Sequence, residues 1–207
     1  WTAFQDSGFE KMPEFHYRPL TVSPSALKRD LFRIPVDDVD DPALHQIFSD
    51  KQVELERQLS LLSDRGGAAF HLGSLQIFGR TDAALLALAR LILEKAASGS
   101  DDTAVIEAER FASCARKELD YYRGIDPEFI LDVAIRDDVT GILVSQGTTL
   151  VGRDAVVAES RVNAALQHEI GIHAVTYHNG THQPMQMLHG GMAGYEELQE
   201  GLAVLAE

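Results

Sequence analysis

Two short runs near the C-terminal end constrain this chain more than anything else in it. They are His168-Glu169-Ile170-Gly171-Ile172-His173 and Gln199-Glu200-Gly201-Leu202-Ala203. The first places two imidazoles and a carboxylate on one predicted helix. The second places a glutamate on the next. Two histidines, a third carboxylate ligand and a free glutamate beside the first histidine are the components of a catalytic zinc site. If they act together, the two helices must cross with these side chains facing each other.

The spacing of the histidines carries a structural demand. The usual peptidase motif sets them four residues apart, on one helix face. Here they are five apart, which on an ideal helix turns them about 140° away from each other. A π-type turn, with one extra residue, restores a common face, and such turns are frequent at functional sites. Gly171 between them lowers the cost of a local backbone change. The spacing alone is also compatible with a surface pair or with buried structural histidines. Asn163, Ala164, Ala165 and Leu166 precede it as a helix of buried type, so Glu169 becomes a carboxylate in an apolar helix, which needs a reason.

In this reading His168, His173 and Glu200 are metal ligands for one Zn²⁺ per chain. A fourth position stays open for water and the substrate carbonyl. Glu169 is the general base. His178 and His182 read as loop histidines near the cleft, separated by Asn179-Gly180, which is expected to end the metal helix.

The remainder of the chain reads as α+β. Residues 1–40, with Pro13, Pro19, Pro24 and Pro35, are expected to form an extended lead-in with a short strand near Leu31 to Val36. Asp41-Pro42 is an N-cap and first-position pair opening a helix to about Ser63. Phe70 to Phe78 is expected to be a strand or a surface loop. Helices are expected from Asp82 to Ala97, with a polar loop from Ser98 to Asp102, and from Thr103 to Tyr122. Phe129 to Arg136, Gly141 to Ser145 and Thr149 to Val151 read as a small antiparallel meander. A long helix is expected from about Ala155 to Tyr177. A last helix begins near Ala193 and still runs at Glu207, so a longer protein with more of the domain is expected. Residues 41–207 then form one zincin-like domain of gluzincin type, its small antiparallel sheet beside the metal-binding helix.

Composition excludes some partners. The 207 residues carry 32 acidic against 18 basic side chains, a formal charge of -14. Nucleic acid and anionic membrane both call for a basic surface and are not expected. No apolar run approaches the roughly 18 residues of a membrane span. The single cysteine, Cys114, permits no intrachain disulfide and fits a reducing, cytoplasmic setting; it reads as a buried structural thiol.

The residues also carry a resemblance. Arg65 to Gly79 (RGGAAFHLGSLQIFG), Asp137 to Gly147 (DDVTGILVSQG) and, most specifically, Ala165 to Glu207 resemble the microtubule-associated tyrosine carboxypeptidase family and its bacterial relatives named for a QEGLA motif. The likeness runs from about Phe15 to the end. The six-residue His-Glu-x-x-x-His form is characteristic of that family. It implies a zinc carboxypeptidase, with His168, His173 and Glu200 as ligands and Glu169 as base. Animal members remove tyrosine from α-tubulin. This chain is more similar to the bacterial relatives, described by a link to flavohaemoglobin expression, so a peptide or protein C-terminus of unspecified identity is the expected substrate. The alternative is a non-catalytic, metal-binding regulatory module.

A carboxypeptidase also needs a substrate side. Gly141 to Ser145 is a candidate edge strand for backbone addition. Tyr195 and Tyr177 are candidate oxyanion donors. Asn179, with Gln183, lies where it would brace the helix end or meet substrate. Arg136, Arg65 and Arg161 are the cations that could meet a terminal carboxylate.

Overall fold

A computed structural model describes residues 2–11, 15–95 and 104–207. The expected polar loop Ser98 to Asp102, and the helix ends expected at Ala97 and Thr103, lie outside the described residues. The chain divides into two compact units, Trp1–Ile92 and Leu93–Glu207.

The first unit is helical among its described residues. After α1 (Thr2–Asp6), α2 (Pro24–Leu31) opens at Ser23, whose side chain accepts from the Ala26 N–H, with Pro24 in the first turn. The strand expected near Leu31 to Val36 is instead the end of α2 and a 3₁₀ turn, Val36–Asp38. Phe32 and Ile34 alternate, but they lie exposed and pair with no strand, and alternation without a partner makes no sheet. The capping pair predicted for the next helix, α3 (Pro42–Ser63), is present. Asp41 Oδ1 accepts from the backbone N–H groups of Ala43 and Leu44 at 2.9 and 3.0 Å. Lys28 ties α2 to α3 through Glu56 at 2.7 Å.

Phe70–Phe78 is a helix, α4, rather than a strand or loop. Gly73 is the point of close approach to α3. A Cβ there would come within 3.1 Å of Leu61 Cδ1. The helix α5 (Ala83–Lys95) follows, with the Asp82 carboxylate accepting from the Leu85 N–H at 2.7 Å.

The second unit holds the strands. β1 (Val105–Glu107) stands where a helix was expected, and α6 (Ala108–Ile125) begins only after it. β2 (Asp132–Arg136), β3 (Ile142–Ser145) and β4 (Thr148–Gly152) follow the strand signals. β5 (Val156–Ala158) then pairs antiparallel with β1, so Val105 and Ile106 adopt a strand because a partner 50 residues on completes it. The three-stranded sheet is not an antiparallel meander. Its order is β2-β4-β3, with β2 parallel to β4 and β3 antiparallel to it. Period-two alternation reveals which residues form strands but not which strands pair. β4 takes the centre because it is the most deeply covered of the three; Thr149 and Val151 are fully buried. β3 and β4 are joined by Gln146-Gly147, both at positive φ, the geometry of a tight hairpin. Gly147 cannot be replaced without a clash, since a Cβ would lie 2.5 Å from Tyr177 Cε1.

The single long helix expected from Ala155 is a succession: β5, a 3₁₀ turn Glu159–Arg161, α7 (Val162–Leu166), a π-helical segment Gln167–Ala174, and α8 (Val175–Thr181). It ends at Thr181, one residue past the Asn179-Gly180 pair expected to close it. Gly180 is buried within α8 where Leu188 passes, and a Cβ would lie 2.4 Å from the Leu188 carbonyl oxygen. After a 3₁₀ turn at Gln186–His189 comes α9 (Tyr195–Ala206).

The core lies between α6, the sheet and the π segment. Phe111, Ala112, Ala115 and Leu119 of α6 pack with Val133, Val151, Leu166, Ile170 and Ala174. Cys114 is partly buried and packs against this core, in keeping with a structural thiol. Among the described residues no helix is long and apolar enough to cross a membrane.

Candidate functional site

Leu166, Ile170 and Ala174, four residues apart, face the core and fix the roll of the π segment. The Val175 N–H reaches back five residues to the Ile170 carbonyl, the hydrogen bond that defines a π turn. That extra residue brings His168 and His173 onto one face. Their ring centroids are 4.9 Å apart, in an edge-to-face arrangement at 67°. The distortion predicted from the five-residue spacing is thus present across the motif itself. The φ of Gly171 is not positive. A Cβ there would lie 2.8 Å from Gln167 Oε1, and Gln167 Nε2 donates to Glu118 at 3.1 Å.

α9 packs across the π segment and delivers Glu200. Glu200 Oε2 lies 3.7 Å from His168 Nε2, and Oε1 lies 3.5 Å from His173 Nε2. One ligand atom from each of the three residues lies within 4.8 Å of the others. Ligands at 2.0–2.1 Å from a tetrahedral centre stand about 3.4 Å apart. The donor set, two neutral-capable imidazoles and a carboxylate, therefore fits a small divalent cation without large movement.

Glu169 is half-buried beside this cluster. Burial pushes its carboxyl up to about 7; nearby His168 opposes that shift and Glu200 adds to it. Burial likewise lowers the His173 pKa, partly offset by Glu200, and this favours the neutral ring that can ligate a metal.

Three residues that sequence reasoning did not place in the site adjoin it. The Gln199 side chain hydrogen-bonds His173. Glu207 Oε1 lies 2.9 Å from His168 Nδ1. Arg161, considered only as a substrate cation, pairs with Glu207. A signal for Glu207 was available: seven residues after Glu200, it shares that residue's helix face.

The substrate-side candidates each have contacts of their own. Arg136 forms a two-pronged pair with Asp138, at 2.8 and 2.7 Å. Arg65, in the other unit, lies under the Tyr17 ring and donates to the Arg18 carbonyl. Tyr177 packs on the Gly147 turn. Tyr195 packs on Gly191. Asn179 is exposed, and its carbonyl accepts from Gln183 Nε2 at 3.2 Å. β3 is an edge strand of its sheet and lies beside the π segment.

His178 and His182 are not on separate faces. His178 lies in α8 and His182 is its C-cap, one turn on, with ring centroids 4.2 Å apart. His178 is buried and meets Asp126 at 2.8 Å; His182 meets Glu128 at 3.2 Å. Together they pin the end of α8 to the turn after α6. The hydrogen bond to the His178 carbonyl, with Glu128 and Asp126 nearby, holds the His182 pKa above its ordinary value. A raised folded-state pKa means stability that is present in full below about pH 6.5 and lost as pH rises through the folded value. The metal-free protein is therefore expected to lose a small His182 contribution to denaturant resistance as pH rises above about 6.5, and His182→Asn to remove that part of the pH dependence. Chemical-denaturation midpoints across that range test it, and an unchanged pH profile in the variant would contradict it.

The model of the microtubule-associated tyrosine carboxypeptidase family matches residues 2–207, nearly the whole chain. The chain belongs to that family. Membership implies carboxypeptidase-type activity on protein or peptide substrates. No curated protein and no solved structure matches the chain.

Proposed function

We propose that this protein is a zinc-dependent carboxypeptidase of zincin-like, gluzincin type, removing a residue from a peptide or protein C-terminus. The observation that carries the proposal is the meeting of His168, His173 and Glu200 around one point, with the half-buried Glu169 adjoining the first ligand. A purely structural metal site has no use for that fourth group.

His168 Nε2, His173 Nε2 and a Glu200 oxygen would hold one zinc ion. When bound, zinc polarises a carbonyl and lowers the pKa of a water, making attack possible near neutral pH. The Glu169 carboxylate accepts the proton that the attacking water sheds. It later returns that proton to the departing amine nitrogen. Its raised proton affinity suits both transfers. The free edge of β3 would take the substrate backbone as an added strand. Tyr195 and Tyr177 are the neutral donors proposed for the developing oxyanion. Arg136 would meet the terminal carboxylate by exchanging Asp138 for it, and Asn179 would contact the substrate from the exposed side of α8.

The test is direct. One zinc per chain is expected by elemental analysis, and a peptide library followed by mass spectrometry should show loss of single C-terminal residues. Internal cleavage would overturn the carboxypeptidase assignment. Stoichiometric zinc with no hydrolysis of any peptide would favour a regulatory metal-binding module.

A further inference from the structure

The proposed metal centre has a support whose residues come from outside both motifs. His168 presents Nε2 towards Glu200, and its other ring nitrogen, Nδ1, lies 2.9 Å from Glu207 Oε1. A carboxylate can only accept, so Nδ1 must carry the hydrogen. In the neutral ring that leaves Nε2 free, the form a metal ligand requires. Glu207 is itself held. Its second oxygen pairs with Arg161, which closes the 3₁₀ turn just before α7. The Glu207 side chain is only 25% exposed, against 61% for the Glu200 side chain, so this contact is the more sheltered of the two.

The contact also spans the site. Arg161 precedes the helix that carries His168, and Glu207 ends the helix region that carries Glu200. The chain Arg161–Glu207–His168 therefore joins the two metal-binding elements at one end. The Gln199 hydrogen bond to His173 lies at the other histidine. We infer that Glu207, oriented by Arg161, is a positioning residue that sets the tautomer and ring orientation of His168 for metal binding. This rests on the metal-site reading above and assigns that site its outer partner. Ligating histidines commonly donate their second N–H to a carboxylate, and losing such a partner typically costs 10–100-fold in metal affinity.

The experiment compares zinc affinity, by chelator competition, in wild-type protein, Glu207→Ala, Glu207→Gln and Arg161→Gln. Glu207→Ala should weaken binding by about 10–100-fold. Glu207→Gln keeps a carbonyl acceptor of the same reach and should recover most of that loss, whereas Arg161→Gln should fall between. A second readout needs no metal. Long-range proton–nitrogen NMR of the imidazoles should find His168 protonated at Nδ1 in wild type and Glu207→Gln, and a tautomer mixture in Glu207→Ala. Wild-type zinc affinity in Glu207→Ala would overturn the inference while leaving the metal site intact. Equal weakening by Ala and Gln would overturn it too, since acceptor geometry would not be the cause. A wild-type protein that binds no stoichiometric zinc would instead overturn the underlying metal-site reading.

Discussion

Glu169→Gln is expected to retain one zinc per chain and to lower kcat by about 10²–10⁴-fold. The substitution keeps the shape and length of the side chain but removes its capacity to take a proton. Glu169 is not among the three residues whose donor atoms converge, so its loss should leave the metal count unchanged. Its position explains why the effect should be large. It adjoins His168 in sequence, it is withdrawn from water, and burial has raised its proton affinity to near neutrality. Few groups are better suited to accept a proton and return it within one turnover. Steady-state kinetics on a peptide from the library, with zinc measured on the same sample, decides the matter. A variant that turns over at the wild-type rate with full zinc would remove Glu169 from the mechanism.

His173→Ala is expected to weaken zinc binding by more than about 100-fold, beyond the loss assigned to an outer partner, and to abolish turnover with it. His173 follows His168 across the π turn on the same face, and its Nε2 is 3.5 Å from Glu200. Without it, two donors remain on the protein, too few for a closed three-ligand site. The fold should survive, because the core contacts of this segment come from Leu166, Ile170 and Ala174 on the opposite face. Zinc titration alongside a thermal melt of the metal-free proteins separates the two effects. Tight stoichiometric zinc in the variant would mean that His173 is not a ligand.

The site was far more legible in the sequence than the sheet was. A five-residue spacing between two histidines is a statement about one helix turn. It could be converted into a demand for a π segment before any tertiary contact was considered. Asp41-Pro42 was legible for the same reason, since a cap is satisfied within four residues. Phe70 to Phe78 was misread because it alternates loosely and contains Gly73, a short pattern that periodicity does not resolve between strand and helix. The closeness of His178 and His182 was missed because Asn-Gly was taken to separate them. The close passage of Leu188 makes a glycine necessary inside the helix there.

What the sequence alone determined is local. It pointed to the pairing of His168 with His173, to Glu169 beside them and to the π distortion, because each depends on residues within one or two helical turns; Glu200 joins them only through the packing of α9 on the π segment. Tertiary structure decided what depends on partners distant in the chain. It put β4 between β2 and β3, where both of its edges are hydrogen-bonded and Thr149 and Val151 are buried. It made a strand of Val105–Glu107 by supplying Val156–Ala158. It also brought Glu207 and Arg161 to His168, 39 and 7 residues away, where a carboxylate can fix a tautomer that no motif specifies.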